Sequence, residues 1–382
     1  MHKSLVYIVF AFAPFLWGQS DIAIIGTLPQ TVAETSGLLA HNGKLITHND
    51  SGNAAELYEL DPVTLQITRT ITVVNAINTD WEDITQDAQF IYIGDIGNNN
   101  GDRRNLKVFK IAKSDFDSSD TVTAEEITFS YEDQTDFETV ADSDFDAEAL
   151  FLIGKDLIVL TKQWQRQGTV AYRIPNTPGT YTAERLGGYQ IDGLVTGATY
   201  DESNGRLFLV GYSTLLAPFF VNISGSNTNA VFGDMQTKSE LAIGAAQVEA
   251  ITRTSDGQFY ITSEEFNSPP ILSSASRLFR FTLDENPEEE EEEPQDASEP
   301  PSTKEALIVY KTFGSNNLNY QLNTERTVTA MGVFDASGRL VSYVPLERIT
   351  ETSVDLSSLD QALYYLTFFL VDDIISAPFV KD

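Results

Sequence analysis

The sequence predicts an all-β chain, on three observations: only three Met against 11% aromatic residues, short apolar runs punctuated by Gly, Asn and Asp, and five copies of one pattern. β-branched and aromatic residues suit pleated strands, and regular turn residues cut a chain into strands rather than helices. At 382 residues with 42% hydrophobic content, one large domain and one small one are expected.

The copies begin at Ser36, Glu82, Glu148, Thr196 and Glu249, so successive starts lie 46 to 66 residues apart. Each reads as an oxygen-bearing residue, an apolar pair, a turn, a β-rich run, a polar cluster and an aromatic-rich run. A period of this length with about four strands per unit is that of propeller blades, whereas helical solenoids carry a 3.6-residue periodicity. The fifth copy ends at Phe281 without a fourth strand, and Asp21 to Leu28 is an orphan strand ahead of the first copy. The orphan therefore closes the last blade and removes an open edge. The prediction is a five-bladed β-propeller over 20–283, with six blades as the alternative if 112–145 hides another.

Ahead of it, Lys3, an apolar run from Leu5 to Trp17 and then Gly18-Gln19-Ser20 read as a signal peptide, 1–19, and hence a secreted or cell-surface protein. A membrane anchor is the other reading of a run this short. Residues 284–304, with six consecutive Glu and four Pro, cannot build a core and read as an extended linker or a calcium-collecting tail. Residues 305–382 read as a small β-sandwich. Its VFDASGRLV and VDLSSL segments and terminal basic residue resemble the C-terminal sorting domain of the bacterial type IX secretion system, which implies that export machinery as a partner. Tyr310-Lys311-Thr312-Phe313 and Ala362-Leu363-Tyr364 depart from that family's usual opening and Gly-x-Tyr motifs. The other reading is an adhesion module.

With 56 Asp and Glu against 24 Lys and Arg, the net charge is −32, which excludes nucleic acid as a partner, because basic side chains must replace phosphate counterions. There is no Cys and there are three His, which leaves oxygen ligands and hard cations as the metal chemistry. No phosphate loop, dinucleotide fingerprint or nucleophile elbow is present.

Position one of the repeat carries the chemistry. First strands line a propeller's channel, so Ser36, Glu82, Glu148, Thr196 and Glu249 converge near the axis. Two carboxylates about 5 Å apart repel by roughly 3 kcal/mol at an effective dielectric of 20. A cation resolves this, and three Glu, two hydroxyls and waters suit Ca²⁺ better than Mg²⁺ or zinc. Hydrogen bonds to backbone or basic residues, or a protonated Glu, are the competing resolutions. The ring, with the strings SGLLAHNGKLITHNDSG and ITSEE, resembles the calcium-dependent apyrase fold, a five-bladed nucleotidase whose axial Ca²⁺ is held by Ser and Glu of successive blades. Gluconolactonase-like and phytase-like propellers share acidic loops around an axial metal.

Loops after each second strand are expected on the same face. They bring His48, Asn49 and Asp50; the 94–104 cluster with Asp95, Asn98, Asn99, Arg103 and Arg104; then Lys162, Trp164 and Arg166; then Tyr212 and Glu264. Approaches to the first strands add Asp80, Asp83, Asp144, Asp146 and Gln247. As catalytic groups the sequence offers His48 and Asp50 as a base and its partner, with Asp95 and Arg103; the other basic residues would stabilise an anion. Asn49, Asn98, Asn99, Tyr212 and Glu264 complete a ligand-binding face, and Trp164 would stack on a base or sugar. The plain alternative is that Asn, Asp and Gly only make the turns. Trp81, by alternation, faces blade packing. Two functions follow: a Ca²⁺-dependent hydrolase of a phosphate ester, anhydride or lactone, or a non-catalytic, monomeric surface protein with structural Ca²⁺ that binds a glycan or protein.

Overall fold

The computed structural model describes residues 22–283, apart from 215 and 269–271, and most of 306–381 in segments broken at 312–316, 325, 336–339, 346–352, 358 and 371–373. The predicted signal peptide and the linker between 284 and 304 lie outside the described residues, as do Thr312, Phe313, Ser337 and Gly338. The chain divides into two compact units, one built around strands β1–β20 and β23, the other around β24–β30, whose ranges follow.

The N-terminal unit opens with β1 (Ala23–Thr27); β2 (Thr35–His41), β3 (Lys44–Asn49), β4 (Glu56–Leu60) and β5 (Ile67–Val73) then form an antiparallel run in sequence order. A second run holds β6 (Trp81–Gln86), β7 (Phe90–Asp95) and β8 (Lys107–Ala112). After helix α1 (Lys113–Ser118) and β9 (Thr121–Val122), β10 (Glu125–Tyr131) completes it by pairing with β8. The stretch 112–145 therefore supplies a helix and two strands, β9 parallel to β5 and β10 against β8, not a further four-stranded run, among the described residues. The third run is β11 (Ala147–Ile153), β12 (Asp156–Thr161), β13 (Gly168–Pro175) and β14 (Gly179–Gln190); the fourth is β15 (Leu194–Asp201), β16 (Arg206–Tyr212), β17 (Pro218–Ser224) and β18 (Met235–Glu240). The last holds β19 (Val248–Arg253), β20 (Gln258–Ser263) and, beyond the ribbon β21 (Phe266–Ser268) and β22 (Leu272–Ser274), β23 (Arg277–Thr282).

β1 pairs antiparallel with β23, so the orphan strand does complete the last run. One departure from separate blades is that β10 and β14 pair in parallel, which merges the second and third runs into one eight-stranded sheet. β14 is twelve residues long, and its outer edge would otherwise stay unpaired.

The core lies between runs rather than within one. Leu39, Ile46 and Leu57 pack with Trp81, Ile91 and Phe109 of the next run. Tyr92, Ile127 and Phe129 meet Leu150, Leu157 and Tyr172. Phe151 and Ile158 meet Leu207 and Phe219, Phe208 and Phe220 meet Phe259 and Phe279, and Ala250 and Leu278 return to Leu38 and Leu45. Period-2 alternation gives each strand two apolar faces for this purpose. The first strands β2, β6, β11, β15 and β19 neighbour one another in the same cyclic order, β19 against β2. Asp83 clasps this centre: its carboxylate accepts the backbone N–H groups of Ile84 and Leu150, both at 2.8 Å, and is fully buried.

The C-terminal unit holds β24 (Ala306–Lys311), β25 (Asn317–Asn323), β26 (Val328–Asp335), β27 (Leu340–Pro345), β28 (Ser353–Asp355), β29 (Ala362–Leu370) and β30 (Ile374–Lys381) in two sheets, β24-β25-β28 and β27-β26-β29-β30. Leu318 and Tyr320 of one share a core with Met331, Leu366 and Phe368 of the other. The described ends of the VFDASGRLVSY segment, 333–335 and 340–343, lie in the antiparallel pair β26–β27.

Candidate functional site

Every first strand is irregular at the same place. The ladder skips from Thr35 to Leu38 in β2, Trp81 to Asp83 in β6, Ala147 to Ala149 in β11, Val195 to Gly197 in β15 and Val248 to Ala250 in β19. The residues left out of the ladder include Ser36, Glu82, Glu148, Thr196 and Glu249, the five openings of the sequence repeat. A β-bulge bends its strand and re-aims the unpaired side chain, so one backbone device, repeated five times, builds the ring. In β2 the bulge needs Gly37, at φ +30°, where a Cβ would come within 2.5 Å of His48 Nε2.

The ring positions then differ. Ser36 Oγ donates to the Glu82 carbonyl at 2.6 Å and Thr196 Oγ1 to the Val248 carbonyl at 2.5 Å, each tying its strand to the next. Thr196 is fully buried and does not line the cavity that the other four share. That cavity is about 160 Å³. Asp50, Lys162, Trp164, Tyr212 and Glu264 also line it, as do Asn99 and Gln247.

A lysine stands among these carboxylates. Lys162 Nζ is 3.0 Å from Glu148 Oε1, with both side chains 6% exposed, and lies 4.6 Å from the Trp164 ring centre and 5.4 Å from that of Tyr212. Burial would lower its ammonium, but Glu148, Tyr212, Glu249 and Asp146 outweigh burial and hold it well above the usual lysine value. Asp146 accepts the Asn98 N–H at 2.6 Å and Trp164 Nε1–H at 2.8 Å.

One ammonium does not neutralise the cavity. Burial, then Glu148, Asp50, Asp80 and Asp146, push the Glu82 carboxyl well above its ordinary value. Glu148 and Glu249 rise in the same way, burial first, against the opposing charge of Lys162. Asp80 is raised to about 7 by burial and by Asp50 and Asp146, and Glu264 to about 8 by burial and by Asp50.

Two sets of carboxylates lie close enough to share one ion, and each joins ring Glu to carboxylates outside the ring. Asp50, Asp80 and Glu82 each bring an oxygen within 4.8 Å of the others, and so do Glu82, Asp146 and Glu148; Glu249 belongs to neither group. Ser36 and Thr196 spend their hydroxyl protons on backbone carbonyls, and Glu148 has Lys162, so three of the five predicted ligands carry another partner.

Several predicted site residues lie elsewhere. His48 is fully buried against Trp81 (ring centres 5.6 Å apart), its Nδ1 lies 3.1 Å from the Asn49 carbonyl, and burial pushes the imidazole down to about 4. It does not line the cavity, so no His48–Asp50 pair forms there. Trp81 packs as expected. Asn49 donates to the Thr31 carbonyl. Asn98 Oδ1 accepts the Arg103 N–H and shapes the turn. Arg103 is committed to Asp95 at 2.7 Å and the Gly97 carbonyl at 2.6 Å. Asp95 is buried in that ion pair. Arg104 stacks at 3.7 Å over Phe137, and Arg166 is 74% exposed beside Asp144.

Asp80 and Asp146, which sequence reasoning placed only on the approach, are the additional carboxylates of the two groups. The signal was available: each lies two positions before a ring Glu, as Glu34 lies before Ser36 and Gln247 before Glu249. In the second and third copies the residue two ahead of the ring position stands beside it.

No family model matches the chain, and no curated protein matches it. Solved structures do. A luciferin-regenerating enzyme aligns at 11% identity over 69% of this chain and 95% of its own, with a TM-score of 0.39. The PQQ-bound aldose sugar dehydrogenase of Streptomyces coelicolor aligns at 11% over 70% and 99%, TM-score 0.40, and a streptogramin B lyase at 12% over 70% and 99%, TM-score 0.34. By name all three are enzymes. Likenesses of this strength assign no residue a role.

Proposed function

We propose that this chain is an exported, calcium-dependent hydrolase of phosphate esters, anhydrides or lactones, built on a five-bladed propeller followed by a sandwich-like sorting domain. The carrying observation is the charge balance of the cavity: five lining carboxylates, Asp50, Glu82, Glu148, Glu249 and Glu264, face one lining ammonium, Lys162. The donor set is oxygen-only and so fits Ca²⁺. When bound, the ion would polarise a phosphoryl or carbonyl oxygen and lower the pKa of a water. Lys162 and the Tyr212 hydroxyl, on the cavity wall, stabilise negative charge on the leaving side, and Trp164 offers a flat face to the remainder of the substrate.

The placement of His48 supports the second reading, a non-catalytic surface protein with structural calcium that binds a glycan or protein, because among the described residues no imidazole lines the cavity as a base. Turnover of a panel of phosphate esters, anhydrides and lactones decides between them. The hydrolase reading expects turnover in Ca²⁺, its loss in EDTA, and a drop of about 100-fold or more in Glu82→Gln with its circular dichroism unchanged. No turnover of any class in excess Ca²⁺ removes that reading.

A further inference from the structure

Resting on the reading that the cavity takes a calcium-class cation, we infer that the ion sits to one side of the channel, on Asp50, Asp80 and Glu82, so that Glu82 is the single ring position that ligates it. Each of these three side chains presents an oxygen within 4.8 Å of the other two. Glu82 is 3% exposed, lines the cavity, and has neither a hydrogen bond nor an ion pair to its carboxylate among the described residues. A buried carboxylate with no partner carries the full cost of desolvation, and a cation removes that cost.

The backbone leaves room for the arrangement. A Cβ at Gly97 would lie 2.1 Å from Glu82 Oε1 and 2.4 Å from Asp80 Oδ2, so these two oxygens converge on a spot that only glycine keeps open.

The rival group of Glu82, Asp146 and Glu148 is compensated from within the chain. Glu148 has Lys162 at 3.0 Å, and Asp146 accepts from Asn98 N and Trp164 Nε1. Around the Asp50 group the countercharges are already engaged elsewhere: Arg103, 3.9 Å from Asp80, is bound to Asp95, and Lys162, whose charge also reaches Asp50, is bound to Glu148, while Asp50 accepts the Ser51 N–H. The less compensated group, which holds the unpartnered Glu82 carboxylate and whose nearest ion pair is the 3.9 Å contact of Arg103 with Asp80, is the one that takes the ion. Three carboxylates and waters meet the six to eight oxygens that Ca²⁺ accepts, and nitrogen and sulfur ligands for zinc are missing from the group.

Calorimetric titration of the full chain with Ca²⁺ alone tests the assignment. Asp80→Asn and Asp50→Asn, which keep side-chain shape and remove one charge each, should weaken Ca²⁺ binding at least tenfold, and Glu249→Gln should stay within threefold of the parent. Circular dichroism checks each fold, and the two Asp variants guard against one failing to fold. Weakening by Glu249→Gln equal to or greater than that by the Asp variants overturns the off-axis site in favour of the ring, and a parent that binds no Ca²⁺ overturns both. The predicted binding pattern without turnover leaves the site standing and removes only the hydrolase.

Discussion

Replacing Lys162 by Met removes the ammonium 3.0 Å from Glu148 while keeping most of the stem that packs near Trp164 and Tyr212. At an effective dielectric of 20, two unit charges at that distance attract by about 5 kcal/mol. Removing one partner of a buried pair costs about 3–5 kcal/mol, because the other charge is left without compensation. For a unit of this size that corresponds to a fall in melting temperature of roughly 6–20 °C. The assay is guanidinium unfolding in EDTA, followed by circular dichroism and tryptophan fluorescence, for the parent, Lys162→Met, Glu148→Gln and the double variant. Glu148→Gln should cost less than Lys162→Met, since Lys162 keeps Glu249 and Asp146 nearby. The double variant should recover about 2 kcal/mol relative to the sum of the singles. A loss below about 1 kcal/mol in Lys162→Met, or a coupling within the roughly 0.5 kcal/mol scatter of independent sites, refutes the idea that this ammonium compensates Glu148.

His48, held at about 4 in the fold against about 6.5 in the unfolded chain, takes up its proton on unfolding as the pH drops. Stability tied to its neutral form is present above the unfolded value and is lost as the pH falls from about 6.5 toward 4. Between pH 7 and pH 5 the parent should therefore lose about 2 kcal/mol more than His48→Gln in paired denaturant titrations, and equal losses would contradict the buried, neutral imidazole. Gly97→Ala places a methyl group on Glu82 Oε1 and Asp80 Oδ2, both at the ends of movable side chains. It should lower Ca²⁺ affinity about tenfold or more while moving stability in EDTA little, and unchanged affinity would show that these oxygens do not bind the ion.

Sequence alone was enough for the all-β character, the repeat and the five openings, because equivalent positions in a repeat take equivalent places on equivalent strands. It also located the orphan strand, since β23 would otherwise present an unpaired edge and β1 is the strand that covers it. The acidity of the cavity followed from the same register. Which carboxylates meet was a tertiary matter. Asp80 and Asp146 stand two residues ahead of ring positions, and their reach toward Glu82 depends on how each bulge turns its strand.

Side-chain direction decided the rest. His48 is the penultimate residue of its strand, next to a polar loop where a base was expected; the packing of Trp81 from the next run encloses it instead. Arg103 and Lys162 are both basic residues in loops after second strands, yet one is taken by Asp95 and the other enters the cavity. The parallel pairing of β10 with β14 joins strands some fifty residues apart and has no local signature. Repeat register tells which residues are equivalent, but contacts across neighbouring sheets determine which of them face the same space, and those exist only once the ring of strands has closed.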